Sequence, residues 1–388
     1  MKTHQLITFR FLLSSLLFIF SQSLAYGQKT DTIRFFSKAF KQERTIYIQT
    51  PEFYKYQSDS VKLPVFYILD GQHDWFVNPA LSSIRYLQYT HEIPQAIVVM
   101  IPHKNRNREC GIVSLDQPEA PLHAMITTEI NQFIEPYHPL DYRVLIGHSF
   151  SASFAMYSYM LAPNFYSGII ANSPLDQLEN LIKALQQDKK IDKSRIYMSF
   201  GATDKDFYHR KAYEDMKTKY PIFFNQVHSF LLNSSGHAAM PIIAIPQSLS
   251  DLFYTFSTRY HHIAEVDENY KLVNPPKPAG QELAQIWLAS KLNGTFYPPE
   301  LHEINGMASK YNQSRYTEQA LGIYELGLKL YPKFFEFPYE LAHIYSGTDK
   351  QKAKMYLNKT IELLKAIPDK NEKEIMADKK DFKAKNGF

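Results

Sequence analysis

Gly147-His148-Ser149-Phe150-Ser151 is the stretch of this 388-residue chain whose residue types and spacing most directly suggest chemistry. The apolar run Val144-Leu145-Ile146 leads into it, and small and apolar residues at helical spacing (Ala152, Phe154, Ala155, Tyr157) follow at once. A serine on a sharp turn between strand and helix holds its hydroxyl out to solvent above a helix N-terminus, whose partial positive charge favours a developing anion. The next backbone N–H, that of Phe150, then points where an oxyanion would form. Such a serine attacks an acyl carbon only if a base takes its proton and an acid orients that base. An ordinary strand-turn-helix with a capping serine would show the same local pattern, so the base and the acid decide. Competing chemistries lack their motifs. There is no His-Glu-x-x-His, no Gly-x-Gly-x-x-Gly opening a helix and no Gly-x-x-x-x-Gly-Lys-Ser/Thr phosphate loop.

The elements that must position these groups are legible as apolar runs. Residues 45–48, 65–69, 96–101, 144–146 and 196–200 read as buried strands, and 127–134 and 151–161 as helices. Strands alternating with helices predict an α/β fold, a mostly parallel sheet with helices on both faces. The strand, turn and helix around Ser149 resemble the nucleophile elbow Gly-x-Ser-x-Gly of the α/β-hydrolases, departing at the last position, where Ser151 replaces glycine. The resemblance implies the chain order serine, acid, histidine. The strand 196–200 is followed by Gly201-Ala202-Thr203-Asp204-Lys205-Asp206, which makes Asp204 the expected acid, with Asp206 as the alternative. The run 227–232 leads into Gly236-His237, which makes His237 the expected base. His148 is expected to be a structural neighbour inside the elbow.

The second oxyanion donor is expected on the loop after 65–69, Asp70-Gly71-Gln72-His73-Asp74-Trp75, where glycine permits close backbone approach and the N–H of Gln72 could face the site. Taken with Leu69-Asp70-Gly71-Gln72, Ile101-Pro102, Gly147-His148-Ser149-Phe150, Gly201 to Asp204 and Gly236-His237, the chain resembles the putative esterase (esterase D-like) family of α/β-hydrolases over about residues 35–258. That resemblance implies hydrolysis of a carboxylic ester or thioester through an acyl-enzyme, with no cofactor and no metal. Acyl transfer is the alternative within the fold. A catalytically silent hydrolase-like protein that binds through its tail is the alternative outside it. Arg106 and Arg108, on the loop after Ile101, either steer an anionic ester or belong to a solvated charged loop, and Trp75 would form an aromatic wall.

The rest of the chain frames this core. Residues 1–27 read as a secretory signal peptide, with Lys2 and Arg10 before the apolar run of ten from Phe11 to Phe20 and small residues before Gln28. The protein is therefore expected to be secreted or periplasmic. That run is too short to span a bilayer, which takes about 20 residues, so no membrane-spanning segment is expected. Residues 28–258 form the expected esterase domain. Residues 259–299, with Val273-Asn274-Pro275-Pro276-Lys277-Pro278 and Pro298-Pro299, form the expected linker. Residues 300–388 form a helical C-terminal region in which the pattern beginning at Ala320 recurs at Ala353, a spacing similar to tetratricopeptide repeats. These helices either continue as a short repeat or pack on the main domain, and they offer a surface for a protein partner.

Composition closes off other classes. A single cysteine, Cys110, excludes an intramolecular disulfide and any multi-cysteine metal site. The formal charge of +4 traces to the signal and to residues 349–388, where eleven lysines face seven acids. The catalytic region is left slightly acidic, which removes the case for nucleic acid there. The expected substrate is a small-molecule or glycan-linked ester.

Overall fold

The computed structural model describes residues 30–116, 120–203 and 207–366, with Lys380 and Ala384. The apolar runs form an eight-stranded sheet from β1 (Thr30–Ser37), β2 (Gln42–Gln49), β3 (Leu63–Leu69), β4 (Ile97–Ile101), β5 (Pro139–His148), β6 (Gly168–Asn172), β7 (Ile196–Gly201) and β8 (His228–Leu232). Their order across the sheet is β1-β2-β4-β3-β5-β6-β7-β8. β1 and β2 are antiparallel to each other, and β2 is antiparallel to β4, while all the other pairings are parallel. Every residue of β3, β4, β6 and β7 is buried, as a parallel sheet covered on both faces requires. β1 alternates exposed and half-buried residues, which suits an edge strand and explains why no apolar run marks it in the sequence.

The helices used below are α1 (Asp74–Tyr89), α2 (Arg106–Cys110), α3 (Phe150–Leu161), α4 (Leu178–Gln187), α5 (Phe207–Lys219), α6 (Pro241–Leu252), α7 (Ala279–Ala289), α8 (Leu301–Gln313), α9 (Thr317–Leu330), α10 (Glu336–Tyr345) and α11 (Lys350–Lys365). α3 is the helix expected after Ser149. The helix expected over 127–134 is broken into a π turn (Met125–Glu129) and a short α turn (Asn131–Ile134). Thr127 and Thr128 lie in the break, and each donates its hydroxyl to the carbonyl four residues back, a bond that bends helices.

Residues 259–299, expected as a linker, are folded against the rest. They contain α7 and a two-stranded hairpin, β9 (Lys291–Leu292) with β10 (Thr295–Phe296). Arg259 fastens the stretch. Its guanidinium donates to Glu303 (2.9 and 2.5 Å) and to the carbonyls of Tyr297 and Pro298, with the rings of Phe256, Tyr260 and Tyr297 beside it. Of the prolines that suggest a tether, Pro298 and Pro299 are buried beside Arg259, while Pro275 and Pro278 stay exposed ahead of α7.

α8 to α11 follow one another as packed neighbours; α8 to α10 share a continuous apolar core with the sheet domain, while Leu357 of α11 packs with Ala342 in a small second cluster. Cross-links include Ser58 N–H to the Leu330 carbonyl (2.8 Å), Gln95 N–H to Glu300 (2.7 Å) and Tyr56 edge-on to Phe334. Among the described residues, no helix is long and apolar enough to cross a membrane.

Candidate active site

Ser149 lies between β5 and α3 with φ 60° and ψ −119°, a backbone conformation that a residue with a Cβ adopts only under constraint. The constraint is visible. The Ser149 N–H donates to the Asn172 carbonyl at the end of β6 (2.8 Å), and Asn172 Nδ2 donates to the Gly147 carbonyl (3.0 Å). Gly147 is required here, because a Cβ at that position would stand 2.3 Å from the backbone oxygen of Ser151. Phe150 is the first residue of α3, so its N–H has no acceptor within the helix.

Ser151, where the elbow pattern has glycine, makes bonds that glycine could not. Its Oγ accepts the N–H of His148 (2.8 Å) and donates to Asp70 Oδ2 (2.6 Å). Asp70, at φ 61° just after β3, starts the loop that carries Gln72. Arg106 Nε donates to Asp70 Oδ1 (2.5 Å), and its Nη2 donates to Asp70 Oδ2 (3.0 Å) and to the His148 carbonyl (2.7 Å). The guanidinium thus joins the loop that carries Gln72 to the elbow. Arg106 is a brace, neither a free cation for an anionic ester nor part of a solvated loop. Arg108 is exposed.

Behind this brace lies a second buried pair. Arg44 donates to both Glu109 oxygens (2.8 and 2.5 Å), and His103 Nδ1 stands 3.2 Å from Glu109. His103 N–H also donates to the Gln72 side-chain oxygen (2.8 Å), and Gly71 N–H donates to the Ile101 carbonyl (3.0 Å), so the loop bearing Gln72 is tied along its length. A Cβ on Gly71 would meet the Ile101–Pro102 backbone at 2.8 Å. Burial alone would raise both carboxyls. Arg106, with Ser151 and His103, overcomes burial at Asp70 and holds it below the usual carboxylate range; Arg44 and His103 take Glu109 down to about 2. Cys110 is buried beside His103, and burial pushes its thiol up.

His237 follows β8 on the same edge of the sheet. Its ring is sandwiched between those of His148 (4.5 Å) and His209 of α5 (4.1 Å), and the His148 ring Nε2 is 2.9 Å from the His237 carbonyl. Burial lowers His148 to about 4, so its imidazole is neutral near pH 7 and Nε2–H donates to that carbonyl. The Ala202 N–H bonds the carbonyls of Leu232 and Ser235 (3.0 Å each), which joins the loop after β7 to the loop bearing His237. Asp204 and Asp206 lie outside the described residues. Trp75 stands edge-on to His148 at 5.7 Å and is about half exposed.

The structure therefore brings Ser149, Phe150, Gln72 and His237 to the carboxyl edge of the sheet, where open α/β sheets bind ligands. Sequence reading missed His209 and the Arg106–Asp70–Ser151 brace. Asp70 stood within the quoted motif, but its partner lies 36 residues away.

Residues 37–221 match the family model described as putative esterase. The segment includes Ser149 and ends before His237. Over 179 residues the chain is 26% identical to the uncharacterized protein YjcH of Bacillus subtilis (strain 168), an alignment spanning 45% of this chain and 72% of that one. Among solved structures it is similar to an IroE-like serine hydrolase from Shewanella oneidensis (19% identity, TM-score 0.58, 78% of this chain and 99% of that chain). It is also similar to an uncharacterised protein from Capnocytophaga ochracea DSM 7271 (18% identity, TM-score 0.54, 92% of this chain and 100% of that chain). At these identities the two structures speak for the fold alone, and the second extends the likeness over most of the helical tail. With the elbow and the strand order already in place, residues 37–221 are similar to the putative esterase family, and the fold is that of an α/β-hydrolase.

Proposed function

We propose that this protein is an exported serine esterase acting through Ser149, His237 and Asp204. The observation that carries the reading is the strained backbone of Ser149 at the elbow, with the His237 ring packed on its neighbour His148. Backbone strain of this kind persists only where surrounding structure enforces it, and it gathers at catalytic positions.

In the proposed reaction, Ser149 Oγ attacks the ester carbonyl as His237 takes its proton. The N–H groups of Phe150 and Gln72 receive the oxyanion, aided by the N-terminus of α3. The tetrahedral intermediate expels the alkoxide, which leaves as the alcohol with the proton from His237. Water then adds to the acyl-enzyme by the same steps and frees the acid. Asp204 orients the imidazole. No cofactor takes part. The signal peptide at 1–27 routes the protein out of the cytoplasm, and the helices beyond residue 300 are a short tetratricopeptide-like unit docked on the esterase domain.

Labelling of the purified protein by a fluorophosphonate probe tests the reading. Ser149→Ala should abolish both labelling and hydrolysis of an activated short-chain ester; hydrolysis that survives the substitution overturns the mechanism. N-terminal sequencing of the exported protein should find Gln28 first.

A further inference from the structure

His237, the proposed general base, sits on an open loop. Asn233, Ser234, Ala238 and Ala239 around it are exposed, and His237 is itself half-buried. Two bonds fasten the backbone of that loop: His148 Nε2–H to the His237 carbonyl (2.9 Å) and Ala202 N–H to the Ser235 carbonyl (3.0 Å). They fix the main chain but not the ring, because the second side-chain torsion of histidine is a broad, roughly two-fold rotor. A base between a nucleophile and an acid needs that ring fixed. Its two nitrogens lie on the ring edge and must point in two set directions.

Ring stacking supplies the missing control. Phe76 of α1, His148 of the elbow, His237 and His209 of α5 form a column of rings. Successive centroids are 5.8, 4.5 and 4.1 Å apart, and successive interplanar angles are 27°, 34° and 19°. The contact between His237 and His209 is the closest and the flattest of these. It comes from an anchored element, since Arg210, the next residue of α5, donates from Nε (3.1 Å) and from Nη2 to the Ala202 carbonyl. Ala202 thus holds the start of α5 through its carbonyl and the loop bearing His237 through its N–H. Covered on both faces, the His237 ring keeps its edge for hydrogen bonds.

We infer that His209 is a positioning residue, whose ring, stacked on His237, fixes the plane in which the imidazole takes the proton of Ser149. The inference rests on His237 being the base and adds a partner that lies outside the triad.

Hydrolysis of a neutral activated ester, together with the rate of fluorophosphonate labelling, tests this in the full-length protein. His209→Ala should lower kcat and the labelling rate by roughly tenfold, the upper scale for loss of one ring pair, with little change in KM. His209→Phe, which returns a flat ring without its nitrogens, should recover most of that loss. His209→Arg keeps a planar group on the same face and adds a fixed cation. A cation against the imidazole disfavours its protonated form, so the acid limb of kcat/KM should move to lower pH by about one unit. The other groups beside the ring do not supply that charge: His148 is neutral near pH 7, and Arg210 is committed to Ala202. Full activity in His209→Ala, a phenylalanine variant no better than the alanine one, or an unmoved acid limb in His209→Arg overturns the inference and leaves the esterase reading standing. Wild-type protein that neither hydrolyses the ester nor takes the label, or His237→Ala with full activity, overturns the esterase reading and this inference with it.

Discussion

At the carboxyl edge of the sheet Asp70 and Glu109 are buried and held ionised, each locked to a guanidinium, whereas at the opposite edge Glu300 is buried with one oxygen lacking a hydrogen-bond partner among the described residues and its neighbouring cation, Arg259, engaged elsewhere. Burial presses all three carboxyls toward the neutral form. Bidentate partners reverse that pressure at the first two; at Glu300 burial and Glu303 outweigh the bonds from Tyr297 and Gln95, and the carboxyl rises to about 7. A carboxylate closed on its partner fixes geometry, which an elbow and an oxyanion loop need. A buried carboxyl without a dedicated cation keeps its proton instead. One fold thus holds the same side-chain chemistry as a charged brace at one end and close to its neutral form at the other.

The largest effect that separates the two ends is expected at Ser149. Ser149→Ala should lower ester turnover by about 10⁴-fold or more, the scale seen when a triad nucleophile is removed, while stability in urea stays near wild type at every pH. A parallel loss of stability would mean that the substitution unfolds the elbow rather than removing a nucleophile. Gly147→Ala should be nearly as severe for turnover, because its Cβ would collide with the Ser151 backbone and the elbow cannot form. Its thermal midpoint should fall as well, and a variant with normal midpoint and rate would show that the strand and helix do not need that close approach.

Asp70→Asn comes next. It removes the charge that holds Arg106 and loosens the link between the oxyanion loop and the elbow. Loss of one member of a buried ion pair costs about 3 kcal/mol or more, to be read by urea unfolding. Because Asp70 and Glu109 are lowered in the folded protein, their contribution to stability is complete above the carboxylate value of the unfolded chain and is lost as pH falls below about 4. Asp70→Asn should therefore flatten the acid limb of the stability profile, and an unchanged limb would show that the pair is not carrying it. Arg106→Ala should reduce kcat for anionic and neutral esters alike. A KM increase confined to the anionic ester would return Arg106 to a steering role.

How much of this was legible in the sequence follows from the range of each interaction. β3, β4, β7 and the second half of β5 are continuous apolar runs because both of their faces are covered, so they announce themselves. Gly147 to Ser151 is likewise local, since a strand, a turn and a helix start fit within a few consecutive residues. α1 was not read, because Pro79 lies inside it and the helix continues past the proline on the strength of its buried face, Phe76, Val77, Ala80, Leu81 and Ile84. The brace was also hidden: Asp70, Arg106 and Ser151 meet only because β3 and β5 are adjacent in the sheet, and no local pattern states that. Arg259 to Glu303 is the same case in the tail, where prolines suggested an open tether and a long-range ion pair closes it.

The smallest and most discriminating effect is expected at Glu300. Its carboxyl sits at about 7 in the folded protein, above the unfolded value, so the folded state holds a proton that the unfolded chain releases between about pH 4 and pH 7. Stability from this group is thus complete at low pH and is lost as pH rises through that window, the reverse of Asp70 and Glu109. Glu303, Arg259, His302, His91, Tyr297 and Tyr331 surround it; of these, the hydrogen bond from Tyr297 and the charge of Arg259 favour the ionised form, and Arg259 already pairs with Glu303. Glu300→Gln keeps an oxygen for Gln95 N–H and Tyr297 O–H and places an amide nitrogen where Oε2 was open. The variant should match wild type near pH 5 and exceed it by on the order of 2 kcal/mol near pH 8, with kcat for the ester unchanged. Urea unfolding at the two pH values reads this directly. A variant that is less stable at the higher pH would mean that the carboxylate is already satisfied there, and the contrast between the two ends of the sheet would be gone.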